Sequence, residues 1–378
     1  MHVTFRIDAS ETIGTGHLFR CLTLANALAA SGANCSFLSI ARGLGALRDV
    51  ISEAGHSLQL LQPSPGRICD VREPPHAKWL PHGWRADAAA AVGAISAAER
   101  PDWMVVDHYA LDARWELALS SHVERMLVID DLADRQHAAT LLLDQNPLPD
   151  PHARYANLVP AQCQLLLGPR FALLRPEFAQ LRKASLARQR PRQPRHLFVM
   201  MGGADRLDIT GAVVDALADL SFRGSIDVVA GPLYPHLTAL RTRLARLSRA
   251  NLLVAPRELA RSMSQADLAI GSPGVATYER CALGLPTLAL SSADNQEPLG
   301  AELHRLGVHE YLGRFEALAP LALGSALRSA IDGQLDLARQ SRMASALCDG
   351  HGAERVCAIL FGSALPGDTA GAFGVERC

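Results

Sequence analysis

Short apolar runs alternate along this chain with longer Ala- and Leu-rich stretches of helical period, and the alternation occurs twice. In the first half, strands are expected at Val3–Asp8, Cys35–Ile40, Ser57–Leu61, Trp103–Asp107, Arg125–Asp130 and Ala139–Leu143. Helices are expected at Leu18–Ala30, Leu44–Ala54, Ala86–Glu99 and Ala113–Ser121. Continuously apolar strands separated by helices require a parallel sheet covered on both faces. The pattern breaks at Leu181–Arg195, which is rich in Arg, Gln and Pro and reads as a solvated linker. It then restarts, with strands expected at His196–Met201, Ser225–Ala230, Asn251–Val254, Leu268–Gly271 and Thr287–Leu290. The expected fold is therefore α/β, with two doubly wound Rossmann-like domains facing across a cleft. Residues 1–180 form the first domain, 181–195 the linker, and 196–362 the second domain. Residues 363–378 form a Gly/Ala-rich tail expected to be partly disordered. Pro63–Arg85, rich in Pro, reads as a surface excursion.

Other classes are disfavoured by composition. The chain has 378 residues, is 49% hydrophobic and carries a formal charge of −1. A balanced charge leaves no electrostatic footprint for nucleic acid or an anionic membrane. No apolar run reaches the ~18 residues of a membrane span, and the N-terminus is too polar for a signal peptide. The eight Cys are scattered with no CxxC pair, so neither a zinc site nor a redox motif is expected. The protein is expected to be cytoplasmic, without cofactor or metal.

In doubly wound sheets, ligands bind outside the carboxyl ends of the strands. Four clusters fall there in the first half. The segment Asp8-Ala9-Ser10-Glu11-Thr12-Ile13-Gly14-Thr15-Gly16-His17 joins the first strand to the first helix. Gly14 and Gly16 permit a tight turn, and a helix opening near Gly16 aims free N–H groups into the cleft. Histidine as a residue type can accept a proton near neutral pH, so His17 is a candidate general base, unless it only caps the helix. Asp8 could orient it, or cap the turn. Asp107-His108-Tyr109 ends a second strand. Asp130-Asp131, the paired acids that end a third, could bind a metal or serve as acid and base, but capping of the next turn is favoured. Asp144-Gln145-Asn146 ends a fourth.

In the second half, Gly202-Gly203 and Gly271-Ser272-Pro273-Gly274 each follow a strand and open a helix. Together they suit a diphosphate, although either alone is an ordinary βα turn. Glu279 could accept hydrogen bonds from ribose hydroxyls. Asn295 and Gln296 offer neutral donors and acceptors to a sugar, or cap a helix. No Walker lysine pattern is present.

Taken together, RIDASETIGTGHLFRCLTLANAL, DHYALDARWE, VIDDLADRQH, LLDQN, LLGPRFALLRPEF, MGGAD, ERCALGLP and ADNQ resemble a known family. It is the UDP-2,4-diacetamido-2,4,6-trideoxy-β-L-altropyranose hydrolases of pseudaminic acid biosynthesis, a step toward flagellin glycosylation. The matching stretches run in order from about residue 6 to residue 310. The second-half glycines are shared with GT-B glycosyltransferases. The resemblance implies a GT-B fold and a small-molecule UDP-sugar substrate. It implies His17 as base, with Asn295 and Tyr109 contacting sugar or water. It also implies uridine diphosphate near Gly202, Gly203, Gly274 and Glu279. The sequence departs from the family at Pro273 and Val275, where small Gly or Ser residues are usual; Pro273 removes a backbone donor and Val275 lacks a hydroxyl. The expected reaction is inverting attack of water on the anomeric carbon. The rivals are a GT-B glycosyltransferase and a non-catalytic nucleotide-sugar-binding protein.

Overall fold

The structure, a computed structural model, describes residues 1–40, 45, 47–64, 73–97, 99–256, 258–319 and 321–363. Residues 364–378, expected to be a disordered tail, lie outside the described residues, as do 65–72 of the Pro-rich excursion and 44 and 46 of one expected helix.

Two parallel sheets form the frame. The first contains β1 (His2–Ile7), β2 (Asn34–Ile40), β3 (Ser57–Leu61), β4 (Trp103–Asp107), β5 (Arg125–Ile129), β6 (Leu141–Asp144) and β7 (Gln164–Leu167). Their order is β3-β2-β1-β4-β5-β6-β7. The second contains β8 (His196–Met200), β9 (Ser225–Ala230), β10 (Ala250–Val254), β11 (Leu268–Gly271), β12 (Thr287–Ser291) and β13 (Glu310–Arg314), in the order β10-β9-β8-β11-β12-β13. Each sheet is wound outward in two directions from its first strand. The loops after β1 and β4 therefore leave toward opposite faces and open a crevice between them, and those after β8 and β11 do likewise. Register fixes which segments meet there. Ile7 pairs with Asp107, so the first loop and the Asp107–Tyr109 segment emerge side by side. Gly271 pairs with Met200, so the two glycine loops emerge together. Strand β4 is buried along its whole length, as expected of a central parallel strand with both faces covered.

Two features depart from the sequence reading. The stretch 181–195 is not a solvated linker throughout. Helix Pro176–Leu186 runs into it, and its arginines bond the second domain. Arg182 donates to the carbonyls of Ala282, Ser345 and Cys348, and Arg188 to those of Ser264 and Ala266. These carbonyls lie at or just past helix C-termini, where backbone acceptors are left over and a cation is favoured. Helix Gly352–Leu360, moreover, returns to the first domain. Val356 and Leu360 sit in its core beside Leu24 and Leu28, and the Trp103 indole donates to the Leu360 carbonyl. A core built from residues 3 to 360 exists only once both ends of the chain are in place.

The loop after β5 is locked by charge. Asp130 accepts from Arg135 Nη1 at 2.7 Å and from the Ala133 N–H at 2.9 Å, so it does cap its turn. His137 Nδ1 lies 2.7 Å from Glu116 Oε1, and its Nε2 3.7 Å from Asp130 Oδ2. Burial works against charge on His137, but the carboxylates of Asp130 and Glu116 overcome it and raise the pKa to about 9. A folded-state value above the unfolded ~6.5 stabilises the protein fully below about pH 6.5, and this stabilisation fades as pH rises through 9. At roughly 1.4 kcal/mol per unit it amounts to at most about 3 kcal/mol. In urea unfolding, His137→Gln is expected to cost more stability at pH 6 than at pH 10. Equal losses at both would remove the charged imidazole from the account.

Candidate active site

The first loop folds on itself before its helix begins. Gly14 has φ +84°, and its N–H donates to the Ser10 carbonyl at 2.7 Å. Helix Gly16–Ala30 follows, with no side chain capping its N-terminus and no acid in its first turn. Its first-turn N–H groups are therefore left for other acceptors.

His17, the second residue of this helix, is buried, and its Nδ1 lies 2.6 Å from Asp107 Oδ1. Arg20, one helical turn on, grips the same carboxylate, with Nε 2.6 Å from Oδ2 and Nη2 2.6 Å from Oδ1. Burial opposes the Asp107 charge, but Arg20 and His17 hold its carboxyl well below the usual range. An ionised carboxylate only accepts, so the proton assigned to His17 lies on Nδ1 and the neutral ring keeps a lone pair on Nε2. Arg20 Nη1 also reaches Asp131 Oδ2 at 2.8 Å, and the Tyr109 hydroxyl donates to Asp131 Oδ1 at 2.5 Å. Tyr109 is set edge-on to the His17 ring, with centroids 4.6 Å apart. Trp79, on a short 3-10 helix within the excursion, stacks on Tyr109 at 5.4 Å and meets His17 edge-on at 5.9 Å. His76 closes this aromatic group, 4.8 Å from Trp79.

Asp8 is not the acid that orients His17. It is buried, and accepts from Arg6 Nη1 and the Ser39 hydroxyl, each at 2.8 Å, and from the Ile40 N–H at 2.9 Å. His108 Nε2 lies 3.1 Å from Asp8 Oδ2, and the ring is buried. Asp8, His108 and Asp107, which end strands where ligands are expected to bind, make their polar contacts within the first domain. Sequence reasoning missed Arg20, Trp79 and His76. Arg20 had a signal, because positions three apart share a helix face. Trp79 and His76 had none, being brought to His17 by tertiary folding alone.

The two domains touch at their loops. A Cβ on Gly203 would collide with the Thr15 side chain, and one on Gly16 would lie 3.4 Å from Val275. Gly231, after β9, packs against the Gly203 backbone just as closely, a role sequence reasoning did not see. Tyr278 donates to Asn146 Oδ1 across the domains at 2.5 Å.

Of the two second-domain helices expected to cradle a diphosphate, the first has its N-terminus taken by an acid. The carboxylate of Asp205 accepts from the N–H groups of Ile209 at 3.0 Å and Thr210 at 2.8 Å, so it occupies the N-terminus of helix Ile209–Asp219. The helix after Gly274, Ala276–Ala282, is only seven residues long. Gly202, with φ +97°, lies over Ser272. Glu279 is half-buried, 3.9 Å from Arg175 Nη2, and burial raises its pKa. Asn295 is exposed on the 3-10 helix Asp294–Gln296. Gln296 turns inward: its Oε1 accepts from the Ser292 N–H at 2.9 Å, and its Nε2 lies 3.9 Å from where a Gly274 Cβ would be. Among the described residues, no group of three or more His, Cys, Asp or Glu has the placement to hold a metal ion, and no helix is long and apolar enough to cross a membrane.

No family model matches the chain. It is 28% identical over 199 residues to the spore coat polysaccharide biosynthesis protein SpsG of Bacillus subtilis, covering 51% of this chain and 57% of that protein. It is 29% identical over 126 residues to an uncharacterized protein of Methanocaldococcus jannaschii, covering 32% of this chain and 26% of that one. The chain thus spans somewhat over half of the first of these relatives and about a quarter of the second. To the UDP-2,4-diacetamido-2,4,6-trideoxy-beta-L-altropyranose hydrolase of Campylobacter jejuni it is 22% identical over 307 residues, 81% of this chain and 97% of that protein. Among solved structures, MurG of Acinetobacter baumannii superposes with a TM-score of 0.65 at 16% identity, covering 96% of this chain and 99% of that one. The calicheamicin glycosyltransferase CalG4 superposes with a TM-score of 0.61 at 16% identity, over 97% and 99% of the two chains. The fold is GT-B-like: two parallel-sheet α/β domains in the arrangement of those glycosyltransferases.

Proposed function

We propose that the protein hydrolyses a UDP-linked 2,4-diacetamido-2,4,6-trideoxy sugar to free sugar and UDP, with His17 as the general base. The observation that carries this reading is the His17–Asp107–Arg20 arrangement. A buried carboxylate fixes the imidazole so that Nε2 is the atom able to take a proton. The alignment over 97% of a protein named as such a hydrolase supports the substrate class.

In this scheme a water oxygen bonds to the anomeric carbon as that carbon's bond to the diphosphate oxygen breaks. Nε2 of His17 takes the water proton, UDP leaves from the opposite face, and the configuration inverts. Negative charge grows on the departing diphosphate. The uncapped first turn of helix Gly16–Ala30 supplies N–H groups suited to it. Tyr109 and Asn295 are assigned to sugar or water, Glu279 to ribose, and Gly202, Gly203, Gly274 and Gln296 to the nucleotide side. A general base contributes typically ~10²–10⁴-fold, so positioning and leaving-group electrostatics supply the rest.

The glycosyltransferase reading keeps the same residues, with His17 deprotonating an acceptor hydroxyl. Its support is the likeness to MurG and CalG4. Proton NMR of the protein with the UDP-sugar and no acceptor separates the readings. Free sugar and UDP are expected to accumulate. If the UDP-sugar stays intact until an acceptor is added, the transferase reading replaces this one.

A further inference from the structure

Arg280 is fully buried in the second domain, between helix Ala276–Ala282 and its sheet, and no carboxylate among the described residues forms an ion pair with it. Its Nη2 donates to two neutral oxygens, the Ser272 carbonyl at 2.8 Å and Thr277 Oγ1 at 2.9 Å. Its Nε and Nη1 are buried with no partner among the described residues. The adjacent carboxylate of Glu279 faces Arg175 instead. Burial draws the Arg280 pKa down to about 10, and the opposing charges of Cys281 and Glu279, neither in an ion pair with it, are too weak to restore it. Burial lowers the His309 pKa to about 4, so this neighbouring ring adds no second positive charge.

Buried cations are normally paired, because removing a charge from water is costly. The position of this one suggests where its partner comes from. A Cβ on Gly271 would sit 2.6 Å from Arg280 Nη1 and 3.0 Å from the Met200 carbonyl, so glycine is what lets the guanidinium reach the strand end. The carbonyl it holds belongs to Ser272, in the loop Gly271–Val275. That loop lies against Gly202 on one side and against Gly16 of the first loop on the other. The neighbouring helix N-terminus, Ile209–Asp219, is already neutralised by Asp205. An anion entering here finds its compensating charge at Arg280.

We propose that Arg280 is a positioning residue and the buried counter-charge for a nucleoside diphosphate held at the loop Gly271–Val275. The inference rests on the UDP-sugar reading above. Through the Ser272 carbonyl the guanidinium braces the loop. Through the low-dielectric interior its charge stays felt at the loop surface, where water would otherwise screen it. The apo protein carries this charge unpaired, and binding of the diphosphate pairs it.

The test is calorimetric titration of wild type, Arg280→Met and Arg280→Lys with uridine, UMP and UDP, alongside thermal unfolding of each apo protein. Arg280→Met is expected to weaken UDP about tenfold or more while uridine stays within about twofold, a loss on the scale of a charged interaction. Its apo melting temperature is expected to hold or rise, because an unpaired buried charge has gone. Arg280→Lys, which keeps the charge but not the fork, is expected to fall between wild type and Arg280→Met for UDP. Equal weakening of uridine and UDP would make Arg280 a structural brace only and overturn the proposal; unchanged UDP affinity in both variants would overturn it as well. If Arg280→Met does not fold, the uridine–UDP comparison in Arg280→Lys decides alone. A wild type with no affinity for UDP fails the UDP-sugar reading itself, and is distinguished by needing no variant.

Discussion

His17→Ala is expected to fold as the parent does, bind UDP with unchanged affinity, and turn over at least about 10²-fold more slowly, the scale of a lost general base. Folding is spared because His17 sits at the first turn of its helix, held by Asp107 and edge-on ring contacts rather than within the apolar core. Binding is spared because the nucleotide is assigned to the second domain and to backbone N–H groups of helix Gly16–Ala30, which the substitution leaves in place. The separation matters: a rise in KM with kcat retained would mark His17 as a binding group. Steady-state kinetics with UDP titration on the same preparation reads both quantities. Turnover near the parent's would remove His17 from the mechanism. The next candidate base would then have to be found outside Asp8 and Asp107, since the geometry ties both into ion pairs with arginine.

Asp107→Asn is expected to damage turnover and stability together, which sets it apart from His17→Ala. The amide keeps the size of the carboxylate but removes the charge that fixes Nδ1–H on His17. It also leaves Arg20 with Asp131 as its remaining ion-pair partner. Loss of the oriented tautomer is expected to lower kcat by about 10²-fold or more. Breaking one side of a buried ion pair is expected to cost about 3–5 kcal/mol in urea unfolding. If stability falls while kcat holds, the carboxylate is structural and His17 needs no orienting acid.

Much of this was legible in the chain. Apolar runs ending in Gly or Asp marked most strands and placed the site at their carboxyl ends. Strands β7 and β13 were missed for a common reason. Each is an edge strand: Gln164–Leu167 is only four residues long with one of them buried, and Glu310–Arg314 is half-exposed throughout, so neither forms a continuous buried run. The choice between Asp8 and Asp107 lay beyond local sequence. Both acids end a strand, and only the strand order, which sets Asp8 beside Ser39 and Ile40 of β2, shows that Asp8 faces away from His17. The arginines of 181–195 misled because composition reports charge, whereas their role depends on helix C-termini 76 to 166 residues away. Glu279 drew notice as an acid near a glycine loop. The neighbouring Arg280 did not, because a buried unpaired cation is a property of the folded environment alone.

The central claim is that water attacks the anomeric carbon. Reaction of the UDP-sugar in ¹⁸O-labelled water, without acceptor and followed by ³¹P NMR, tests it most directly. Attack at carbon breaks the carbon–oxygen bond, so UDP is predicted to form with no label on its β-phosphate. Label appearing on that phosphate would place the attack at phosphorus, where His17 and Asp107 would be serving a different reaction, and would contradict the account.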